Sequence, residues 1–342
     1  MLLTGWLAGG LLLPGSAEEP SAKPTVATTA KPTVATTDRP AVATTGADWL
    51  AAIRRSADAL QWTDEIIRHD WRLQHRPGTE SCRILDPRDQ VVHEGLREEC
   101  LAAFEKFVVD GQVQVVDGPT VIVLHGLGEG RRSMRPLVEH LRKQLDATVL
   151  SFGYASTAAG IDDHGRALAA VIKGLPAAES ISFVGHSMGN LVVRRWMGLA
   201  DESELGRVER MVMLGPPNQG SELARMAANF SLLAALSNGA ARELVFDWNR
   251  IANDLAVPPC TFGIVAGGKG DDRGYSSLLT GDDDAVVCVD ETHLPGAHDF
   301  LLVPVRHSAM MKNAGVQQAT TAFLKTGRFP AAVAAPIAPV AH

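Results

Sequence analysis

The stretch Gly185-His186-Ser187-Met188-Gly189 sets one serine between two glycines, after the apolar run Ile181-Ser182-Phe183-Val184 and before a helix-like run. A serine at so sharp a strand-to-helix turn is held in a strained backbone conformation with its hydroxyl aimed into a cleft. Side chains at the flanking glycine positions would collide with the neighbouring strand and helix. Such a hydroxyl becomes a nucleophile when a base takes its proton and an acid keeps that base in the correct tautomer. The free N–H of Met188, at the helix N-terminus, would face the negative oxygen that an attacked carbonyl develops. A second donor is required there. The glycine-rich turn Leu124-His125-Gly126-Leu127-Gly128-Glu129-Gly130, after an earlier apolar run, offers the N–H of Leu127.

The acid and the base are expected after the serine in chain order. The late segment GDDDAVVCVDETHLPGAHDFLLVPVRHSAMM supplies both. Asp284, closing an acidic run before Ala285-Val286-Val287, is assigned as the orienting acid, and His307, before a helix-like segment, as the base. Asp282, Asp283 and Asp290 compete for the first role, and His293 and His298 for the second. His125 and His186 lie within the glycine turns and are read as orienting them.

Those residues must be positioned by elements, and from about residue 120 the chain alternates short apolar runs with longer amphipathic ones. Strands are expected at Thr120–Leu124, Ala147–Phe152, Ile181–Val184, Arg210–Leu214 and Cys260–Val265, with helices over 133–145, 161–174, 188–199 and 219–236. This alternation predicts a mostly parallel sheet with helices on both faces, its functional residues gathered at the carboxyl ends of the strands. Residues 47–117 do not share the pattern. They read as an N-terminal extension packed on the core: a helix-like Asp48–Leu60, a hairpin pairing Cys82–Leu85 with Gln90–His93, and a helix-like Leu96–Phe107.

With these residues in view, the chain resembles the α/β-hydrolases, closest to their bacterial lipase and esterase branch. The resemblance rests on Leu124-His125-Gly126-Leu127-Gly128, Gly185-His186-Ser187-Met188-Gly189, Asp284-Ala285-Val286-Val287 and His307. Leu214-Gly215-Pro216-Pro217-Asn218-Gln219-Gly220-Ser221 adds a fifth match. It covers about residues 118–325, and Ala285 departs from it, because that branch commonly has glycine there. The resemblance implies that Ser187 attacks an ester carbonyl and that His307 takes the proton and returns it to the leaving alcohol. The N–H groups of Leu127 and Met188 would hold the oxyanion, and water would release an acyl-enzyme. No metal or organic cofactor is implied, and the substrate would be a small-molecule or lipid ester. An acyltransferase, thioesterase or amidase could use the same residues. A catalytically idle, tethered binding protein is the reading from outside enzymology.

Composition narrows the rest. The chain has 342 residues, 46% hydrophobic and 21% charged, with a formal charge of -7, the profile of a globular protein. Nothing in it favours nucleic acid as a partner. The apolar start through Gly15-Ser16-Ala17 reads as a signal peptide over 1–17, so export to the periplasm, cell envelope or medium is expected, with an N-terminal anchor as the alternative. Residues 18–46 carry the proline-containing octapeptides AKPTVATT, AKPTVATT and DRPAVATT. They read as an extended tether, consistent with a place at the cell envelope or a membrane surface. The hydrolase-like region is expected to run over 118–328, followed by an Ala/Pro-rich tail over 329–342. The four cysteines lack metal spacing. A Cys82–Cys100 bridge is the first choice, Cys260–Cys288 the second, and four separate thiols the alternative. In the insertion 221–257, Leu223, Met226, Ala227, Phe230, Leu233 and Ala234 share a helical face that would either line an acyl groove or sit in the core.

Overall fold

In the computed structural model the described residues are 60–220 and 248–331. The leader, the tether, the helix-like 48–59, residues 332–342 of the tail and the 223–234 face of the insertion lie outside them. Six parallel strands form the main sheet: β5 (Gly118–Leu124), β6 (Thr148–Phe152), β7 (Ala178–His186), β8 (Val208–Leu214), β9 (Thr261–Gly267) and β10 (Asp299–Val303), in the order β10-β9-β8-β7-β5-β6. They are nearly continuous apolar runs because both faces are covered. Ile122, Leu124, Phe183, Met211, Met213 and Ile264 face one core, shared with helices α3 (Ile161–Lys173) and α4 (Met188–Met197). Their neighbours Val121, Val123, Val184, Val212, Leu214 and Val265 face the other, shared with α2 (Arg135–Gln144) and α5 (Ala314–Thr326).

From β5 the chain steps outward to β6 and then returns past β5 to β7, so the order reverses between β5 and β7. Loops diverge at such a switch point and leave a crevice at the carboxyl ends of the strands. The Leu124–Gly130 turn and the Ser187 turn both end there.

A second sheet precedes the first, an antiparallel meander of β1 (Thr63–Arg68), β2 (Trp71–His75), β3 (Ser81–Leu85) and β4 (Val91–Leu96), followed by α1 (Arg97–Val109). The expected hairpin and helix are there, and β1 and β2 are additional. Leu73, Cys82 and Ile84 form a small core with Cys100 and Phe104 of α1. Cys82 and Cys100 do not form the expected bridge, no disulfide joins Cys260 to Cys288 either, and burial pushes the Cys82 thiol up to about 12. The other face of this sheet is polar yet buried, through Asp64, Arg72, Gln74 and Arg83. That polarity hid β1 and β2 from a reading based on apolar alternation. β10 is a further strand beyond the five expected, its apolar run lying inside the late segment read for the acid and the base. The expected tail boundary moves as well: the Phe329 ring packs 4.8 Å from Phe323 and its N–H donates to Asp299 Oδ2 at 2.8 Å.

Candidate active site

Ser187 links β7 to α4 with φ 52° and ψ -125°, a conformation that costs an L-residue about 1–3 kcal/mol. The flanking glycines exist for contact. A methyl at Gly185 would stand 2.3 Å from Asn190 Oδ1, and one at Gly189 would stand 2.6 Å from the His125 carbonyl oxygen. The strain is fixed from below, where the Ser187 N–H donates to the Leu214 carbonyl at 2.9 Å and Asn190 Nδ2 donates to the Ser187 carbonyl at 2.9 Å.

Leu214 ends β8, and Gly215 follows in the left-handed region with φ 52°. A methyl there would meet the His307 ring at 3.1 Å. His307 and Ser187 thus flank the same Leu214–Gly215 stretch. His307 is buried, and its Nδ1 is 2.6 Å from Asp284 Oδ2, while its N–H donates to the Asp284 carbonyl at 2.8 Å. Asp284 Oδ1 accepts from the N–H groups of Val286 and Val287 at 3.0 and 2.8 Å. A fully buried carboxylate is thereby satisfied on both oxygens. No hydrogen bond joins Ser187 to His307 in this resting arrangement, a contact that often forms only with substrate bound.

The competing residues have other partners. Asp283 accepts from the N–H groups of Tyr275, Ser276 and Ala285, and Asp282 from those of Lys269 and Gly270, so both hold the loop together. Asp290 is exposed on a one-turn helix, Val289–Thr292. His293 is exposed and stacks on Phe300, and His298 Nδ1 accepts from the Phe262 N–H at 3.4 Å. Ala285 takes φ 84°, where glycine would be unstrained.

The 125–130 turn lies against the serine, since a methyl at Gly126 would meet Ser187 Cβ at 3.1 Å. Three of its backbone donors are occupied. Gly126 N–H reaches Glu129 Oε2 at 3.2 Å, Gly128 N–H reaches Ser156 Oγ at 3.1 Å and Glu129 N–H reaches the Gly126 carbonyl at 3.4 Å. Between them the N–H of Leu127 has no acceptor among the described residues. Met188 is the first residue of α4, where an N–H has no partner within the helix.

Two histidines and a carboxylate support this turn. Burial holds His125 down to about 4; its Nδ1 lies 2.9 Å from the Gly126 carbonyl, and its ring stacks on Tyr154 at 4.1 Å. His186 is also lowered, by burial first and by nearby His307 second, and its ring lies 4.5 Å from that of His307. Burial opposes the charge on Glu129, yet His186, the Ser133 hydroxyl and the Gly126 N–H bring its carboxyl down to about 2. The His186 contact, at 3.4 Å without hydrogen-bond geometry and with a ring that burial keeps neutral, counts for less than the Ser133 bond at 2.8 Å. Glu129 and Ser156 had not been singled out from the sequence. Glu129 stands inside a quoted motif and could have been, whereas Ser156 is joined to the turn only by folding. Among the described residues no three His, Cys, Asp or Glu side chains gather as metal ligands would.

Residues 119–217 match the sequence family described as "Putative serine esterase (DUF676)", a span that holds both glycine turns and stops short of Asp284 and His307. Among solved structures, the lipase BlEst2 of Bacillus licheniformis in its mature form superposes with a TM-score of 0.50 at 20% identity, over 61% of this chain and 91% of that one. The chain is a serine ester hydrolase of the α/β-hydrolase fold. Further structures similar to this hydrolase include phospholipase PlaB of Legionella pneumophila in complex with thio-NAD (TM-score 0.47, 21% identity, 61% of this chain and 56% of that one). The metagenomic carboxyl esterase MGS0156 is another (TM-score 0.42, 18% identity, 58% and 67%). No curated protein matches the hydrolase's sequence.

Proposed function

We propose that the hydrolase cleaves carboxylic esters through Ser187, His307 and Asp284 and an acyl-enzyme intermediate. The observation that carries this reading is the Asp284–His307 hydrogen bond set against the same Leu214–Gly215 stretch that anchors the strained Ser187. Asp284 Oδ2 accepts the His307 Nδ1 proton, which leaves Nε2 unprotonated as the base. Ser187 Oγ adds to the ester carbonyl as its proton passes to Nε2. The carbonyl oxygen, now negative, takes hydrogen bonds from Leu127 and Met188 N–H. Collapse expels the alcohol, which leaves with the proton from His307. Water then repeats the sequence on the acyl-enzyme and frees the acid and Ser187.

The lipase among the similar structures supports lipid esters as one substrate class. The apolar leader and the proline-containing repeats support a role outside the cytoplasm, tethered at the cell envelope. The test is hydrolysis of p-nitrophenyl esters of graded chain length by the full chain, with Ser187→Ala alongside. Ester cleavage that the variant loses is expected, and a preference for long chains would narrow the substrate to lipids. An unreactive wild type, or a variant as active as its parent, would refute the proposal.

A further inference from the structure

One of the contacts between the antiparallel sheet and the hydrolase core is a buried carboxylate, and the loop it grips is the one that supports the oxyanion turn. Asp64, on β1, is fully buried. Its N–H donates to the Gly153 carbonyl at 2.8 Å, and its Oδ2 accepts from the Gly153 N–H at 2.6 Å and from Arg72 at 2.6 Å. Oδ1 accepts from Gln74 at 2.7 Å, and the same Arg72 also donates to the Ser151 carbonyl at 2.6 Å. The neighbouring Thr63 Oγ1 accepts from the Ala155 N–H at 3.1 Å. The 153–156 loop at the end of β6 is therefore hydrogen-bonded to β1 at Gly153 and Ala155.

That loop holds the 125–129 turn in its own right. Tyr154 OH donates to the His125 carbonyl at 2.5 Å, and the Tyr154 N–H reaches His125 Nε2 at 3.3 Å. Ser156 Oγ accepts from the Gly128 N–H and donates to the Glu129 carbonyl at 3.2 Å. A second strap comes from Asp89, in the β3–β4 turn with φ 62°, which is ion-paired with Arg131 and, at 3.0 Å, with Arg132 immediately after the turn.

We propose that the β1–β4 sheet is a positioning element for the oxyanion turn, with Asp64 and Ser156 as positioning residues that set where the Leu127 N–H points. This rests on the assignment of Leu127 as an oxyanion donor. Preorganised donors act on the transition state and not on the bound ester, so a misplaced Leu127 N–H lowers kcat and leaves KM.

The experiment compares the full chain with its Ser156→Ala and Asp64→Asn variants, measuring kcat and KM on a p-nitrophenyl ester and the inhibition constant of an alkyl trifluoromethyl ketone. Ser187 adds to the carbonyl carbon of that ketone, the hydroxyl proton passes to His307, and the ketone oxygen becomes the anion in the hole. A merely destabilised variant raises the apparent inhibition constant only by the reciprocal of its folded fraction, which thermal melts read independently, so a shift beyond that factor reports the oxyanion turn. Expected is a fall in kcat of about tenfold to a hundredfold, less than the loss of a donor outright, with KM within about twofold and inhibitor affinity weakened by the same factor as kcat. Unchanged ketone affinity in the variants overturns the proposal. Should Asp64→Asn not fold, the near-isosteric Thr63→Val takes its place. Failure of the esterase reading itself would show differently, as a wild type that neither cleaves the ester nor binds the ketone.

Discussion

Two turns beside the site put a non-glycine residue in the left-handed region, Ser187 with φ 52° and Ala285 with φ 84°. In the proposed mechanism the Ser187 side chain is the reagent, so the strain has a use that glycine could not serve. Glycines on either side of it let the strand, the helix and the 125–130 turn close on the serine. At Ala285 the methyl group makes no hydrogen bond. The turn is specified by Asp283 and Asp284, which accept the N–H groups of Ala285, Val286 and Val287. On the proposed mechanism, strain at the first turn belongs to the chemistry, and strain at the second accompanies the loop that holds Asp284 against His307.

The sharpest way to break this contrast is crowding of the elbow. Gly185→Ala puts a methyl 2.3 Å from Asn190 Oδ1 and 2.8 Å from the Asn190 nitrogen, which a shift of one flexible side chain does not relieve. A loss of about 3 kcal/mol in urea-unfolding stability is expected, together with loss of ester cleavage.

Acid reaches the elbow side through Glu129, whose carboxyl is lowered from 4.5 to about 2 in the folded protein. A depressed carboxylate contributes stability that is fully present above its unfolded value and is lost as pH falls through the folded one. Glu129 therefore contributes its share above about pH 4.5 and loses it between there and about pH 2. Glu129→Gln should be less stable than wild type at neutral pH by on the order of 1–2 kcal/mol, discounted for partial exposure. Thermal melts across that window should show the two proteins converging.

The smallest effect is expected at the second turn. Ala285→Gly relieves the left-handed strain and adds back some unfolded-chain entropy, for a net gain of about 0.5 kcal/mol. Chemical unfolding would detect it, with kcat/KM unchanged. A loss of activity there would show that Ala285 matters to the site, and the contrast between the turns would fail.

What the sequence made legible follows the same physics. β5 to β9 could be read because both faces of each strand are apolar, and the Ser187 turn because two glycines answer two close contacts. The choice of Asp284 over Asp282 and Asp283 rested in the sequence only on its place before Ala285-Val286-Val287. All three are adjacent carboxylates in an acidic run, and only the folded loop decides which one faces a histidine and which ones accept loop N–H groups. Asp64 was equally hidden. Arg72 and Gln74 look like solvent-facing residues until the strand is seen to bury them around that carboxylate.

The central claim is that Ser187 and His307 act as one unit. Its most direct test measures kcat/KM on a p-nitrophenyl ester for Ser187→Ala, His307→Ala and the double variant. Groups that act together are grossly non-additive, so each single substitution should lower the rate by about 10⁴-fold or more, and the double should lose no more than the worse single. Losses that multiply in the double variant, or a His307→Ala protein close to wild type, would contradict the account.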